Sequence, residues 1–287
     1  MNRRNLLGTL AVLGAMPRLS LAQQSLLPVD TPGLDHLDVM VPDVEKTTRF
    51  YMGLLRTTLH AQPFQGGQRY FVLLGPLPEN RAVGYLAVGA SRGRGTYIGH
   101  FCTSVANWRE TSDAVIAQMK SRFKAAGFGE FPGSTGFGGL FDDPDGIEIQ
   151  FLPSPDTLVT AAVPSDLVPA MQGVVTPERV DSVLVRVSNL KRALEYYRIL
   201  YGKERRSDAR HAEFAFRNGS RLLLEEISYV YGQGQVQIAR FGLRVKPFDR
   251  AGAAEAIARL GGKVLGDDGR TLRLKDVDGI ELELVTG

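Results

Sequence analysis

Three residues of this chain are of the right types to hold a cation together. His36 lies in the run LDHLDVMV, His100 in IGHFCTSV and Glu148 in DPDGIEIQF. Two imidazoles and one carboxylate leave several positions of a divalent ion open. Open positions are what a substrate with two adjacent oxygens requires. The three residues also occupy corresponding places in a repeated sequence unit.

The repeat is read without gaps. LDHLDVMVPDVEKTTRFYMGLL (34–55) overlays VDSVLVRVSNLKRALEYYRILY (180–201), so that Asp35 meets Asp181, Phe50-Tyr51 meets Tyr196-Tyr197, and His36 meets Ser182. IGHFCTSV overlays IARFGLRV (238–245), which sets His100 against Arg240, and DDPDGIEIQF overlays KDVDGIELEL (275–284), which sets Glu148 against Glu281. The chain is therefore two similar halves, 33–153 and 178–287, joined by a connection over 154–177 whose prolines stiffen it.

Each half divides again into two strand–helix–strands units. In the first, 34–41 alternates as a strand does, Asp43 is placed to cap a helix over 44–54, and strands follow near 57–61, 69–74 and 82–88. In the second, 98–104 reads as a strand and Asn107 or a neighbour opens a helix to about Ala126. The Gly-rich run Gly127 to Gly139 is turn material, and strands follow near 137–141 and 146–152. A βαβββ unit cannot bury its sheet face alone; two side by side make a curved sheet with a cup.

Strand alternation puts His36, Asp38 and Met40 on one face, and His100, Cys102 and Ser104 on the matching face of the paired unit. Glu148 and Gln150 share a face by the same period. An imidazole or carboxylate facing inward needs a partner, because unpaired burial costs several kcal/mol. A lone strand histidine more often packs with a hydrogen bond than ligates, but here two stand at equivalent repeat positions with an acid at a third. His60 and His211 have no such placement and are assigned no metal role. Cys102 reads as a small buried filler or a redox-sensitive neighbour.

The second half is an internal control. Its corresponding residues are Ser182, Arg240 and Glu281, and a guanidinium has no lone pair for a metal. Arg240 is expected to pair with Glu281, and that half to hold no ion.

The DH pair opening a strand, the Phe-Tyr of the first helix and the DPDGIEIQF run together resemble the vicinal oxygen chelate (VOC) superfamily, which includes glyoxalase I, bleomycin-resistance proteins and extradiol dioxygenases. The resemblance covers nearly the whole chain after residue 32. It implies an α+β fold of four βαβββ modules paired into two VOC-type domains, the first metal-binding and the second degenerate. It also implies that His36, His100 and Glu148 line one cup as metal ligands, with Asp38, Cys102 and Gln150 around them. Glyoxalase-like isomerases supply a fourth ligand from a strand that falls here at Gly84–Ala87, where no carboxylate or histidine stands. Three ligands suit the facial triad of Fe(II) oxygenases, and the ligand spacings of 64 and 48 residues are similar to those of extradiol dioxygenases.

The implied function is extradiol-type ring cleavage of a small catechol-like or other vicinal-oxygen substrate. One divalent ion is implied, Fe(II) first, with Mn(II), Ni(II), Co(II) or Zn(II) as alternatives. A glyoxalase-type isomerase or lyase and a non-catalytic ligand-binding protein stay open beside it. Two departures stand: extradiol enzymes of this superfamily keep the working site in the C-terminal half, and they use a pocket histidine as acid–base. Tyr85 is the candidate for proton transfer here, although a phenol with an ordinary pKa near 10 is a poor base at neutral pH. Tyr70, Phe71, Tyr85, Phe137 and Phe141 are candidates for an aromatic pocket.

Composition agrees with an ordinary globular protein: 287 residues, 44% hydrophobic, 23% charged, formal net charge +3. No Lys/Arg block interleaved with aromatics marks a nucleic-acid surface, and one cysteine allows no intrachain disulfide. Residues 1–22 read as a cleavable signal peptide: Arg3-Arg4, a short apolar run, then Ser20-Leu21-Ala22. The paired arginines resemble a twin-arginine export signal, which implies the export machinery as a partner and a periplasmic or secreted mature protein. The apolar run is too short for a stable membrane anchor. Oligomerisation is left open.

Overall fold

The computed structural model describes residues 25–64, 67–75, 84–129, 139–153, 162–168, 173–227 and 237–287. The expected signal peptide, Phe137, most of the Gly127–Gly139 run and half of the 154–177 connection lie outside them. Among the described residues no helix is long and apolar enough to cross a membrane.

The first half contains β1 (Gly33–Val41), α1 (Val44–Leu54), β2 (Leu59–Phe64), β3 (Gly67–Leu73), β4 (Tyr85–Ala90), β5 (Tyr97–Val105), α2 (Trp108–Ala125), β6 (Leu140–Asp142) and β7 (Glu148–Pro153). The second contains β8 (Pro177–Val187), α3 (Leu190–Tyr201), β9 (Arg206–Ser207), β10 (His211–Ala215), β11 (Arg221–Glu226), β12 (Gln237–Val245), α4 (Arg250–Arg259), β13 (Lys263–Asp267), β14 (Thr271–Lys275) and β15 (Glu281–Thr286). Asp43 caps α1 as expected, accepting from the Lys46 amide. Its repeat counterpart Asn189 caps α3 in the same way through Arg192. Asn107 precedes α2 in a left-handed conformation and makes no side-chain cap.

The strands form two mixed sheets, in the orders β2-β3-β4-β1-β5-β7-β6 and β13-β14-β15-β12-β8-β11-β10-β9. In each, the leading strands of two modules, β1 with β5 and β8 with β12, pair antiparallel at the centre. The closing strands β4, β7, β11 and β15 run parallel beside them. The architecture is thus α+β with two sheets of βαβββ-like modules.

The central seam is not regular. Between Leu34 and Leu37, β1 carries one more residue than β5; between Leu37 and Val39, β5 carries the extra one. The first irregularity falls at Asp35-His36 and the second at Gly99-His100. The β8–β12 pair shifts at Asp181 and at Ala239, the corresponding places of the repeat. A bulge sets neighbouring side chains off the strict two-residue alternation and re-aims them. Both histidines therefore sit at deliberate breaks in the ladder.

The halves are pinned together by reciprocal contacts. Tyr51 Oη donates to Asp276 Oδ2 at 2.8 Å, and Tyr197 Oη donates to Asp143 Oδ2 at 2.9 Å. Each aspartate also accepts through Oδ1 from two amides of its own turn, Asp145 and Ile147 in one case, Asp278 and Ile280 in the other. The Phe-Tyr and DxDG motifs are two ends of one contact: the first helix of each half reads the turn of the other. Apolar packing continues the join. A Cβ on Gly262 would lie 2.7 Å from Phe50, and Phe123 stacks on Tyr196 with ring centroids 4.2 Å apart.

Candidate metal centre

His36 and His100 project from the two bulges and meet across the seam, Nε2 to Nε2 at 3.3 Å. Both are buried. The other nitrogen of each ring faces carboxylate. His36 Nδ1 lies 2.9 Å from Asp35 Oδ1. His100 Nδ1 lies 3.5 Å from Asp38 Oδ2 and 3.6 Å from Glu148 Oε2. Asp38 is itself paired with Arg69, and Asp35 Oδ2 accepts from Ser104 Oγ at 2.7 Å. Burial holds His36 below the ordinary imidazole range, with Asp35 pulling the other way.

These partners decide where the ring protons go. Carboxylates beside both Nδ1 atoms favour the proton there, which leaves both Nε2 lone pairs pointing at each other. Two lone pairs at this separation repel unless a proton or a cation lies between them. A carboxylate behind each ligating imidazole is the arrangement that fixes ligand tautomer and ring angle in metal proteins. The donor set thus fits a divalent ion through its two nitrogens.

Glu148 stands in register with His100 on the neighbouring strand. Its side chain is 43% exposed and its nearest approach is to His100 Nδ1, not to the facing Nε2 pair. The two histidines are brought together; the acid is brought alongside one of them. Tyr85, in register with His36, stacks flat on its ring with centroids 4.2 Å apart and 15° between planes. Phe71 meets Tyr85 edge-on, and these two form a small apolar cluster with Leu73 and Ala87. Tyr70 and Phe141 instead belong to the main core, so among the described residues of the expected aromatic pocket Phe71 and Tyr85 are the two that stand beside the site.

Cys102 is buried, and donor atoms of Asp35, His36 and Cys102 lie within 4.8 Å of one another. Both Asp35 oxygens are already engaged by His36 and Ser104, so this group is a hydrogen-bonded back wall. Gln150 is buried in register with Cys102. His60 is half-buried on β2, where burial alone lowers its pKa, and His211 pairs with Asp208 at the surface.

A cavity of about 950 Å³ opens on this half, walled by Asp38, Arg69, Arg94, His100 and Glu148 among others, with Gln237 and Ile238 of the second half. Alternation alone misses Asp35, because the bulge is what turns it toward His36 and Ser104. Arg69 gave no sequence signal at all.

In the second half the expectation that Arg240 pairs with Glu281 is corrected. Arg240 Nε lies 3.2 Å from Glu283 Oε1, while Glu281 pairs with Lys275 at 3.4 Å. Register explains it: Glu281 sits beside Lys275 on β14, and the residue opposite Glu283 on β12 is Gly242, which has no side chain. Asp181, the counterpart of Asp35, is fully buried and paired with Arg221 and Arg244.

Each half thus pairs two βαβββ-like modules along a central seam, and the first half carries two facing histidines on it. Residues 33–151 match the family model described as the Glyoxalase/Bleomycin resistance protein/Dioxygenase superfamily, and this half of the chain belongs to that superfamily; the second half repeats its modules. Among solved structures, the chain is similar to the 2,3-dioxygenase LapB from Pseudomonas sp. KL28, with TM-score 0.64, 13% identity, and 90% of this chain and 93% of that one covered. It is similar also to the Mn(II)-bound glyoxalase from Novosphingobium aromaticivorans (0.59, 12%, 90% and 83%). Homoprotocatechuate 2,3-dioxygenase from Arthrobacter globiformis gives 0.58, 16%, 90% and 81%. At these identities the likeness is one of fold. No curated protein sequence matches the chain.

Proposed function

We propose that His36, His100 and Glu148 hold one divalent ion, Fe(II) in preference to Mn(II), Ni(II), Co(II) or Zn(II), and that the protein is an extradiol-type dioxygenase for a small substrate with two adjacent oxygens. The observation that carries this reading is the facing Nε2 pair at 3.3 Å with a carboxylate behind each ring. Three donors rather than four favour it over a glyoxalase-type isomerase, because the β4 residue in register with His36 is Tyr85. A bound Fe(II) supplies Lewis acidity toward a chelating diol and redox chemistry with O₂.

The chain's own residues do the rest. Asp35 and Asp38 face the Nδ1 atoms, Arg69 pairs with Asp38, and Tyr85 stacks on the ring of His36. Glu148, at the cavity wall, is the exchangeable third donor. The Tyr85 hydroxyl is the candidate for proton transfer, carried on a ring stacked against that of His36. That the structural neighbours are dioxygenases and a Mn(II)-bound glyoxalase supports a metal chemistry of this kind. The N-terminal 22 residues support export of the mature protein to the periplasm or beyond.

The test is to prepare metal-free protein without oxygen, load Fe(II), and follow O₂ uptake with 4-methylcatechol. Metal-dependent uptake with ring-cleaved product is expected. No uptake with any of the five metals, together with hemithioacetal isomerisation, would replace this reading by the glyoxalase one.

A further inference from the structure

The large cavity has a positively charged end that the metal reading does not use. Its walls include Arg69, Arg92 and Arg94 beside the acids Asp38 and Glu148. Arg69 is matched to Asp38, and Glu148 is assigned to the ion. No carboxylate among the described residues pairs with Arg94, which is exposed at the tip of the β4–β5 turn.

The turn itself is built to present these side chains. Arg94 N donates to Ser91 O at 3.2 Å, and the two residues between, Arg92 and Gly93, have φ of 52° and 84°. Although β4 and β5 are separated in the sheet by β1, two successive positive φ values are those of the mirror-image turn for which Asn-Gly is the favoured pair. An arginine at its first central position is unfavourable for an L-residue. Two further wall atoms lack partners. Ser91 is 2% exposed, and its Oγ and the Nε of Arg69 are buried with no hydrogen-bond partner among the described residues. Donors left unpaired in a cavity wall are costly until a ligand acceptor meets them.

We propose that this end of the cavity is an oxyanion subsite: Arg94, with Ser91 Oγ and Arg69 Nε, binds a carboxylate or phosphate substituent of the substrate. Arg94 supplies the charge and the fork of donors suited to either group. The inference rests on the proposed reading of the metal centre, since it makes the substrate an acid that carries its two vicinal oxygens toward His100 and Glu148.

The subsite is testable without the metal. Benzoate and phenyl phosphate, which lack a diol, are titrated calorimetrically into metal-free protein. Wild type is expected to bind one of them, and Arg94→Ala to weaken that binding about tenfold or more, the loss of one charge-assisted contact. Arg94→Lys should recover part of it, and Lys191→Ala on α3 should change nothing. Benzoate binding the tighter assigns a carboxylate, and phenyl phosphate the tighter a phosphoryl group. With Fe(II) loaded, the preference for 3,4-dihydroxybenzoate over 4-methylcatechol should collapse in Arg94→Ala. Binding of neither anion, or equal binding by wild type and Arg94→Ala, would overturn the subsite. A failed metal centre would show separately, as anion binding that persists while neither diol binds more tightly with metal.

Discussion

Asp35 Oδ1 and His36 Nδ1 lie 2.9 Å apart although the two residues are neighbours in a strand. A regular strand would point them to opposite faces. The bulge shared by both halves brings them to one, and the second-half equivalent, Asp181, is turned inward in the same way to meet two arginines. The device common to both halves is the inward aspartate; what differs is whether it backs a histidine.

Replacing that aspartate should loosen the ion and leave the fold. Asp35→Asn keeps the shape and a hydrogen-bond acceptor but removes the charge that makes His36 a stronger donor. Metal affinity is expected to fall by about 10- to 100-fold, as for other second-layer partners of ligating histidines, read by competition with a chromogenic chelator. Unchanged affinity would separate Asp35 from the site.

The ligands themselves divide the halves. His36→Ala and His100→Ala should each abolish stoichiometric metal uptake measured by elemental analysis, while Ser182→Ala and Arg240→Ala should retain it. Loss of metal in either second-half variant would refute the assignment of the centre to the first half.

Tyr85 carries two separable roles. Tyr85→Phe preserves the stacked ring over His36 and should keep metal affinity; Tyr85→Leu removes the stack and should lower it. If turnover falls in Tyr85→Phe with metal content intact, the hydroxyl moves a proton. If turnover is unchanged, the ring alone matters.

The join between halves should respond to pH. Burial pushes the Asp143 carboxyl up to about 6, against the amides of Ile147 and Asp145 and the Tyr197 hydroxyl that favour its charge. The unfolded carboxyl takes its proton near 3.8, so between these values the folded state holds the extra proton. The contribution of this group is greatest in acid and is lost as pH rises toward about 6. Burial moves Asp276 in the same direction. In urea titrations from about pH 4 to 7, wild type should lose stability relative to Asp143→Asn as pH rises. A gap constant across the window would contradict it. Tyr197→Phe, which leaves one buried acceptor short of a donor, should cost about 1–2 kcal/mol.

Much of this was legible in the sequence because duplication makes a chain its own comparison. Overlaying 34–55 on 180–201 gave the halves, the modules and the cap at Asp43. The same overlay set His36 against Ser182, and the overlay of 98–105 on 238–245 set His100 against Arg240, a guanidinium with no lone pair for a metal. Bulges were not legible: one extra residue on β1 and one on β5 leave no compositional mark, yet they decide that Asp35 faces His36. Long-range pairs such as Arg69 with Asp38, or Arg240 with Glu283 instead of Glu281, depend on which neighbour across the sheet lacks a side chain. Periodicity within one strand carries no information about that.

The most direct test is anomalous diffraction from crystals of the protein loaded with Mn(II) or Fe(II). The account predicts a single strong peak in the first half, bonded to Nε2 of both His36 and His100 and reached by the Glu148 carboxylate. A peak at Asp35 and Cys102, a peak in the second half, or none with the histidines still facing each other would contradict it.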